Sequence, residues 1–308
     1  MGKHPALDLE TAAVPPRTVA PPPAQPWHSW LVPLFTVANV SLFVLTMYLN
    51  DCPRNEPVGL GGKMKEKSSC LFVRSLGRFA FQPLDENSFL GPSSTTLDFM
   101  GALDWKKVVF EHEWWRLFAC IWLHAGVVHI VANMFSLLFI GVRLEEEFGF
   151  VRIGALYFLS GFGGSLLSCL SFQQNISVGA SGALFGLLGA MLSELFTNWT
   201  IYANKCAALL TLMFIITINL AVGIDPHIDN SAHIGGFISG FLLGFVLLIR
   251  PQFGWISRRY IPPGYDMGHV KPKYKMYQYI LWVIAFIFLM MGYVGGLIKL
   301  YSAHPLDN

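Results

Sequence analysis

The chain has 308 residues, of which 54% are hydrophobic, 14% are aromatic and 13% are charged. An ordinary soluble protein carries roughly 25% charged residues, and 25 Phe and 9 Trp could not all be buried in one soluble core of this size. The composition argues against a soluble enzyme, a disordered protein and a nucleic-acid-binding protein, and the net charge of +2 indicates no acidic partner.

The first 30 residues form a segment rich in proline and alanine. This composition is typical of an extended, disordered tail. The segment does not resemble a signal peptide, because no basic start leads directly into a short apolar core with a cleavage site. We therefore expect residues 1–30 to be a cytosolic tail, followed by an uncleaved signal anchor.

Seven apolar runs follow, each about as long as a bilayer crossing requires. They are Leu31–Leu49, Leu117–Gly141, Ile153–Phe172, Ala180–Phe196, Cys206–Gly223, Ala232–Ile249 and Tyr279–Leu300. Backbone polar groups in lipid need internal partners, so each run is predicted to be a helix. The alternating segments of about ten residues that are typical of a β-barrel are not visible. The predicted fold is an all-α polytopic membrane protein.

The distribution of Lys and Arg predicts the orientation of these spans. When the long first loop, residues 50–116, is left out, basic residues concentrate on the side of the N-terminus. We therefore expect a cytosolic N-terminus and a luminal or extracellular C-terminus. The predicted divisions are a core over 31–250, a basic cytosolic loop over 251–276, and a seventh helix with a short tail over 277–308.

Two cysteines, Cys52 and Cys70, lie in the first loop. On an oxidising side of the membrane they could pair as a disulfide. Two separate thiols explain the sequence equally well, so both interpretations stay open.

Polar side chains inside the spans are candidates for a functional site, because they are costly in lipid. The second run contains His124, His129 and Asn133, and the last two lie four residues apart on one helix face. Ser181 lies at the start of the fourth run and His233 at the start of the sixth. Taken singly, Ser181 could be an N-cap or a packing residue, and His233 an interfacial residue.

Small residues at four-residue spacing favour a close approach of the fourth and sixth spans. They are Gly182, Gly186 and Ala190 in one span and Gly236, Gly240 and Gly244 in the other. Both spans are predicted to start at the outer face, so this packing would bring His233 within about 3 Å of Ser181. No Asp or Glu in the spans could complete a triad, and we infer a Ser–His dyad.

His129 and Asn133 could supply donors to an oxyanion beside the Ser181 backbone N–H. A zinc site is a weaker alternative, because no metal-binding motif is present and the cysteines are scattered. A proton path in a transporter is another alternative. Internal repeats, which many transporters contain, are not evident.

Together these residues resemble the rhomboid intramembrane serine proteases over roughly residues 30–250. The resemblance is carried by Trp115-Arg116, by His124, His129 and Asn133, and by two longer motifs. These motifs are Gly179-Ala-Ser181-Gly-Ala-Leu-Phe185-Gly186 and Ala232-His233-Ile-Gly-Gly236. The extra span after the basic loop resembles the six-plus-one layout of the secretase-type branch, and residues 180–205 resemble plant members.

The resemblance implies a role for each matching residue. Ser181 would be the nucleophile and His233 the general base, while His129 and Asn133 would line the oxyanion hole. Phe185 would stack on the His233 ring. Gly179 would set the shape of the loop before Ser181, and Gly236 would allow close contact between helices. Trp115 and Arg116 would anchor the first loop in the outer leaflet. Glu145 would cap the structure at the inner side.

The resemblance also implies the reaction and the partners. Members cleave single-pass membrane proteins near the outer end of their spans, preferring small residues at the cut and helix-loosening residues below it. No cofactor and no metal are implied, the bilayer is the environment, and a Golgi or other secretory membrane or the plasma membrane is expected. The alternative is a non-catalytic, client-binding relative that acts in trafficking or quality control.

Overall fold

The computed structural model describes residues 28–55, 70–171, 175–199, 204–222, 229–250 and 274–302. Nearly all regular structure in these residues is helical, apart from two isolated β-bridges. The predicted all-α class is confirmed. Most of the Pro-rich tail and of the basic loop, residues 1–27 and 251–273, lies outside the described residues, as does 303–308. The expectations for those segments stay predictions.

In the part of the chain that the structure describes, seven apolar helices make up the bundle. They are α1 (Leu31–Asn50), α2 (Val127–Phe148), α3 (Phe150–Ser171), α4 (Ser181–Thr197), α5 (Lys205–Val222), α6 (Asn230–Leu247) and α7 (Met276–Ser302). By length and composition α1, α2, α3, α6 and α7 can each cross a membrane, whereas α4 and the described part of α5 are shorter. Apart from α2, the helix ends lie within three residues of the predicted runs.

The predicted second span, Leu117–Gly141, is wrong at both ends. Its first residues form a short helix and a 3₁₀ turn, Arg116–Ala119 and Cys120–Trp122, and the chain is then extended before α2 begins at Val127. The extended Gly126 lies against the first loop, where an added Cβ would be 2.1 Å from the Phe89 carbonyl oxygen. His124 therefore precedes α2 rather than lying within it. At its C-terminal end, α2 continues through a π-helical turn as far as Phe148.

The N-terminal end of α1 is capped by a carboxylate from α2. Pro33 is tolerated in the first turn of α1, where its missing N–H would have had no intrahelical partner. Glu145 is fully buried and accepts hydrogen bonds from the Ser29 hydroxyl at 2.5 Å and from the Leu31 and Val32 N–H groups at 2.9 and 2.8 Å. The Trp30 N–H donates to the same carboxylate. This contact joins α1 and α2 at the end of the bundle opposite Ser181.

The first loop is a folded layer over the end of the bundle at which α4 begins. Its short helices are Cys52–Asn55, Val73–Leu76, Ser94–Met100 and Trp105–Val109, with a 3₁₀ turn at Gly77–Phe79. A disulfide joins Cys52 to Cys70, which decides between the two interpretations of these cysteines. A β-bridge between Leu103 and Ser177 ties the loop to the segment that leads into α4.

The helix α4 lies at the centre of the bundle, in contact with α3, α5 and α6. Because its neighbours surround it, α4 does not have to match the bilayer thickness on its own. Its backbone touches that of α6: an added Cβ on Gly236 would be 2.0 Å from the Gly182 carbonyl oxygen, and one on Gly240 would be 2.0 Å from that of Gly186. The small residues thus allow the close approach that their spacing predicts.

Candidate active site

Ser181 and His233 meet at the N-terminal ends of α4 and α6. Ser181 is the first residue of α4, and His233 lies in the first turn of α6. The His233 Nε2 atom is 2.9 Å from the Ser181 Oγ, which matches the expected separation of about 3 Å. The contact between Gly182 and Gly236, one residue after Ser181 and three after His233, fixes the helix separation that sets this distance.

The His233 ring is positioned by stacking. Its centroid lies 4.5 Å from that of the Phe185 ring, with an angle of 20° between the planes. Phe185 is one turn after Ser181 on α4, so a single helix supplies both the hydroxyl and the stacking surface. The other ring nitrogen of His233, Nδ1, is buried and has no hydrogen-bond partner among the described residues. The van der Waals contact with Phe185 therefore contributes much of what orients the imidazole.

Gly179 brings His129 close to Ser181. Its φ of +134° lies in a region that side-chain-bearing residues rarely adopt. An added Cβ would be 2.8 Å from the His129 Cε1, 2.9 Å from its Nε2 and 3.6 Å from the Ser181 Oγ. Only glycine lets the imidazole edge of His129 approach the hydroxyl this closely.

His129 and Asn133 lie one turn apart on α2 and line the same cleft as Ser181. The Ala125 N–H donates to the His129 Nδ1 at 3.3 Å, which leaves Nε2 to carry the ring proton. The Asn133 side-chain amide donates one hydrogen bond to the His129 carbonyl at 3.0 Å and keeps a second hydrogen. The first amides of α4 have no intrahelical acceptor, and Ala180 provides no side-chain cap. These donors can converge on a negative charge beside Ser181.

The cleft encloses about 720 Å³ and contains Ser181, His129, Asn133 and His233. Its walls come from α2, α4, α5, α6 and the first loop. Phe135 and Phe139 of α2 form part of the wall and are 72% and 71% exposed, so they face the surroundings of the bundle. The cleft is large enough to admit water and a short stretch of extended chain.

The sequence analysis missed two contributors to this cleft. Asp229 caps α6 by accepting from the Ala232 N–H at 3.1 Å, and it also lines the cleft. An N-cap residue just before the sixth apolar run was the available signal. The first-loop segment 87–92 crosses the start of α2, where Asn87 donates to the Ala125 carbonyl at 2.7 Å and the Phe89 ring lies tilted against that of His129, with centroids 5.8 Å apart. No local sequence signal indicates that this segment covers the cleft.

Trp115 and Arg116 lie outside the cleft, in the first loop. The Arg116 guanidinium is buried and donates to Glu113 at 2.5 Å, to Asp98 at 3.2 Å and to the Ala102 carbonyl at 2.6 Å. The charge of Arg116 is therefore paired inside the loop, and the expected anchoring of the first loop in the outer leaflet by Trp115 and Arg116 stays a prediction. Trp115 is 40% exposed, and its ring packs over Gly101.

The fold and this site describe a multi-pass membrane protein with a hydrogen-bonded serine and histidine in a cleft at one end of the bundle. A family model described as "Rhomboid domain" matches residues 111–250. RHOMBOID-like protein 1 of Arabidopsis thaliana is 63% identical over 286 residues, which cover 93% of this chain and 70% of that protein. RHOMBOID-like protein 5 of the same plant is 54% identical over 314 residues, which cover 100% of this chain and 98% of that protein.

The chain therefore belongs to the rhomboid family, and its relatives are plant RHOMBOID-like proteins. Rhomboid proteins are in general intramembrane serine proteases. Some relatives carry other names: "Inactive RHOMBOID-like protein 8" of Arabidopsis thaliana is 45% identical over 77% of this chain and 63% of its own length. Membership of the rhomboid family alone therefore does not establish that this chain is catalytically active, and its own residues have to decide.

Proposed function

We propose that the protein is an intramembrane serine endopeptidase that cleaves the transmembrane segments of single-pass membrane proteins near their luminal or extracellular end. The observation that carries the proposal is the 2.9 Å contact between the Ser181 Oγ and the His233 Nε2 within an apolar bundle. A nucleophile and a base at hydrogen-bond distance are the minimum for covalent peptide hydrolysis.

The first half of the reaction forms an acyl-enzyme. The Ser181 Oγ attacks the scissile carbonyl carbon while its proton passes to the His233 Nε2. The negative oxygen receives hydrogen bonds from the His129 Nε2–H, from the free amide hydrogen of Asn133 and from the backbone N–H of Ser181. The C–N bond then breaks, and His233 returns the proton to the leaving amine.

The second half regenerates the serine. Water in the cleft attacks the acyl carbon as His233 takes one of its protons, and His233 then protonates the Ser181 Oγ as the ester bond breaks. A substrate helix has to unwind locally before the first step, because its carbonyl oxygens are already hydrogen-bonded along the helix. Small and helix-loosening residues near the cut favour this unwinding.

The proposed orientation places the site on the non-cytosolic side, in a secretory membrane such as the Golgi or in the plasma membrane. The Lys and Arg distribution supports it. The Cys52–Cys70 disulfide follows the end of α1 that is opposite the Glu145 cap, and disulfides persist on oxidising sides of membranes. Accessibility of an introduced glycosylation site in the first loop would test this orientation.

A client-binding role without cleavage is the second candidate, and it is favoured by relatives that are named inactive. It predicts that loss of the Ser181 hydroxyl leaves the function intact. The two candidate functions therefore differ in whether they require the Ser181 hydroxyl.

The test uses the full chain in liposomes with a single-pass reporter, together with a fluorophosphonate probe that bonds to activated serines. We expect wild type to release the reporter and to be labelled on Ser181. Ser181→Ala and His233→Ala should abolish both signals while the protein stays folded. Ser75→Ala is the matched control, because Ser75 is an exposed first-loop residue outside the cleft. Release of the reporter by the Ser181→Ala variant would refute the proposal.

A further inference from the structure

We propose that Asp229 is an electrostatic positioning residue of the active site, whose fixed carboxylate stabilises the positive charge that His233 acquires when it takes the Ser181 proton. The inference rests on the proposed function and extends it, because it adds a third participant to the Ser–His pair. Asp229 acts through His233 and has no contact with the scissile bond in this scheme.

The carboxylate of Asp229 is held rigidly at the outer end of α6. One oxygen accepts the Ala232 N–H at 3.1 Å, which caps the helix. The other oxygen accepts a short hydrogen bond from the hydroxyl of Ser168, a residue of α3 that is 1% exposed. Two hydrogen bonds from two different helices fix both the position and the direction of this charge.

Asp229 is also placed to act on His233. Asp229 is the N-cap residue of α6, His233 lies in the first turn of the same helix, and both line the cleft. From other helices, Ser181 and Phe185 of α4 contact the His233 ring, and the imidazole of His129 on α2 lines the same cleft. Two carboxylates line the cleft, Glu86 of the first loop and Asp229, and Asp229 is the one that belongs to the same helix end as His233.

The interaction acts through space and not through a hydrogen bond to the ring. The buried Nδ1 of His233 has no hydrogen-bond partner among the described residues, so no carboxylate holds the imidazole as in a catalytic triad. A fixed negative charge in a poorly solvated cleft still favours an imidazolium over a neutral ring. The effect is larger in the transition state than in the ground state, because the positive charge develops only as the proton moves.

The substitution Asp229→Asn separates this charge from its structural role. Asparagine is as good an N-cap as aspartate: its Oδ1 can accept the Ala232 N–H, its side-chain NH2 can donate to the Ser168 hydroxyl oxygen, and it carries no charge. We expect kcat to fall roughly tenfold, which corresponds to about 1.4 kcal/mol, with KM and the thermal midpoint unchanged. The rate of phosphonate labelling at Ser181 should fall by a similar factor, since this reaction needs the same proton transfer.

The experiment compares four variants with wild type in liposomes, by kcat, KM, labelling rate and thermal midpoint. Asp229→Ala removes charge and cap together and should lose both rate and stability. Ser168→Ala should give a smaller loss of rate, because it frees one carboxylate oxygen. Asp104→Asn is the matched control, because Asp104 caps the short helix Trp105–Val109 and does not line the cleft.

The outcomes separate this inference from the proposed function. Wild-type rates in Asp229→Asn, together with no cleavage in Ser181→Ala, would overturn the role of Asp229 and leave the protease proposal standing. A fall in thermal midpoint in Asp229→Asn that accounts for the lost rate would also overturn it, because the role would then be structural. An absence of Ser181-dependent cleavage and labelling in wild type would overturn both proposals.

Discussion

Replacing Gly236 with alanine tests whether the contact between α4 and α6 sets the distance between Ser181 and His233. The added Cβ would be 2.0 Å from the Gly182 carbonyl oxygen and 2.7 Å from its carbonyl carbon. Ordinary contact begins at 3.4 Å, so the overlap amounts to 1.4 Å. The obstructing atoms are backbone, which cannot rotate away like a side chain, and the helices have to separate.

The expected consequence is a large loss of rate with a moderate loss of stability. A separation of about 1 Å would lengthen the 2.9 Å contact between Ser181 and His233 beyond hydrogen-bond range. Misplacement of this size costs about 100-fold in rate, whereas overpacking costs about 1–3 kcal/mol in stability. We therefore expect reporter cleavage to fall at least 100-fold in a protein that still unfolds cooperatively, at a lower temperature.

The measurement is reporter cleavage in liposomes beside thermal unfolding in detergent. Gly295→Ala in α7 is the matched control, because its added Cβ would have no atom within 4 Å. That variant should keep full activity and gain slightly in stability, since alanine favours a helix over glycine by about 0.5–1 kcal/mol. Full activity and an unchanged unfolding temperature in Gly236→Ala would show that the helix contact does not set the site.

Two further pairs of substitutions test the other glycine of the site, Gly179, and the Glu145 cap of α1. Gly179→Ala should lower cleavage by roughly 100-fold, the cost of losing an oxyanion donor, because the new Cβ would displace His129. Gly149→Ala is the control, because Gly149 also has a positive φ but its added Cβ would have no atom within 4 Å. This variant should lose stability without losing activity. Equal losses of activity in the two variants would refute the idea that the Gly179 Cβ acts by colliding with His129. Glu145→Ala should lower the free energy of unfolding by about 2–4 kcal/mol, because it leaves the donors at the start of α1 without their acceptor. Glu145→Gln should lose less, and an unchanged unfolding temperature in Glu145→Ala would contradict the cap.

The fold was predictable because lipid restricts what an apolar segment can do. A long apolar run in a bilayer has to satisfy its own backbone, so six of the seven runs correspond to helices with nearly the predicted ends. The prediction for the second run, Leu117–Gly141, was wrong for a reason that its own composition does not reveal. Residues 117–126 are apolar enough to form part of a span, but the first loop crosses the chain at Gly126, and the chain is extended there.

The sequence by itself determined which segments are helices, which polar side chains lie within or beside them, and which small residues permit close packing. Those properties follow from composition and from spacing along one helix. The tertiary structure decided the rest: that Ser181 lies 2.9 Å from His233, that Arg116 is buried, and that Asp229 faces the cleft. Each of these depends on atoms from segments far apart in the chain, and such contacts are fixed only when the helices pack.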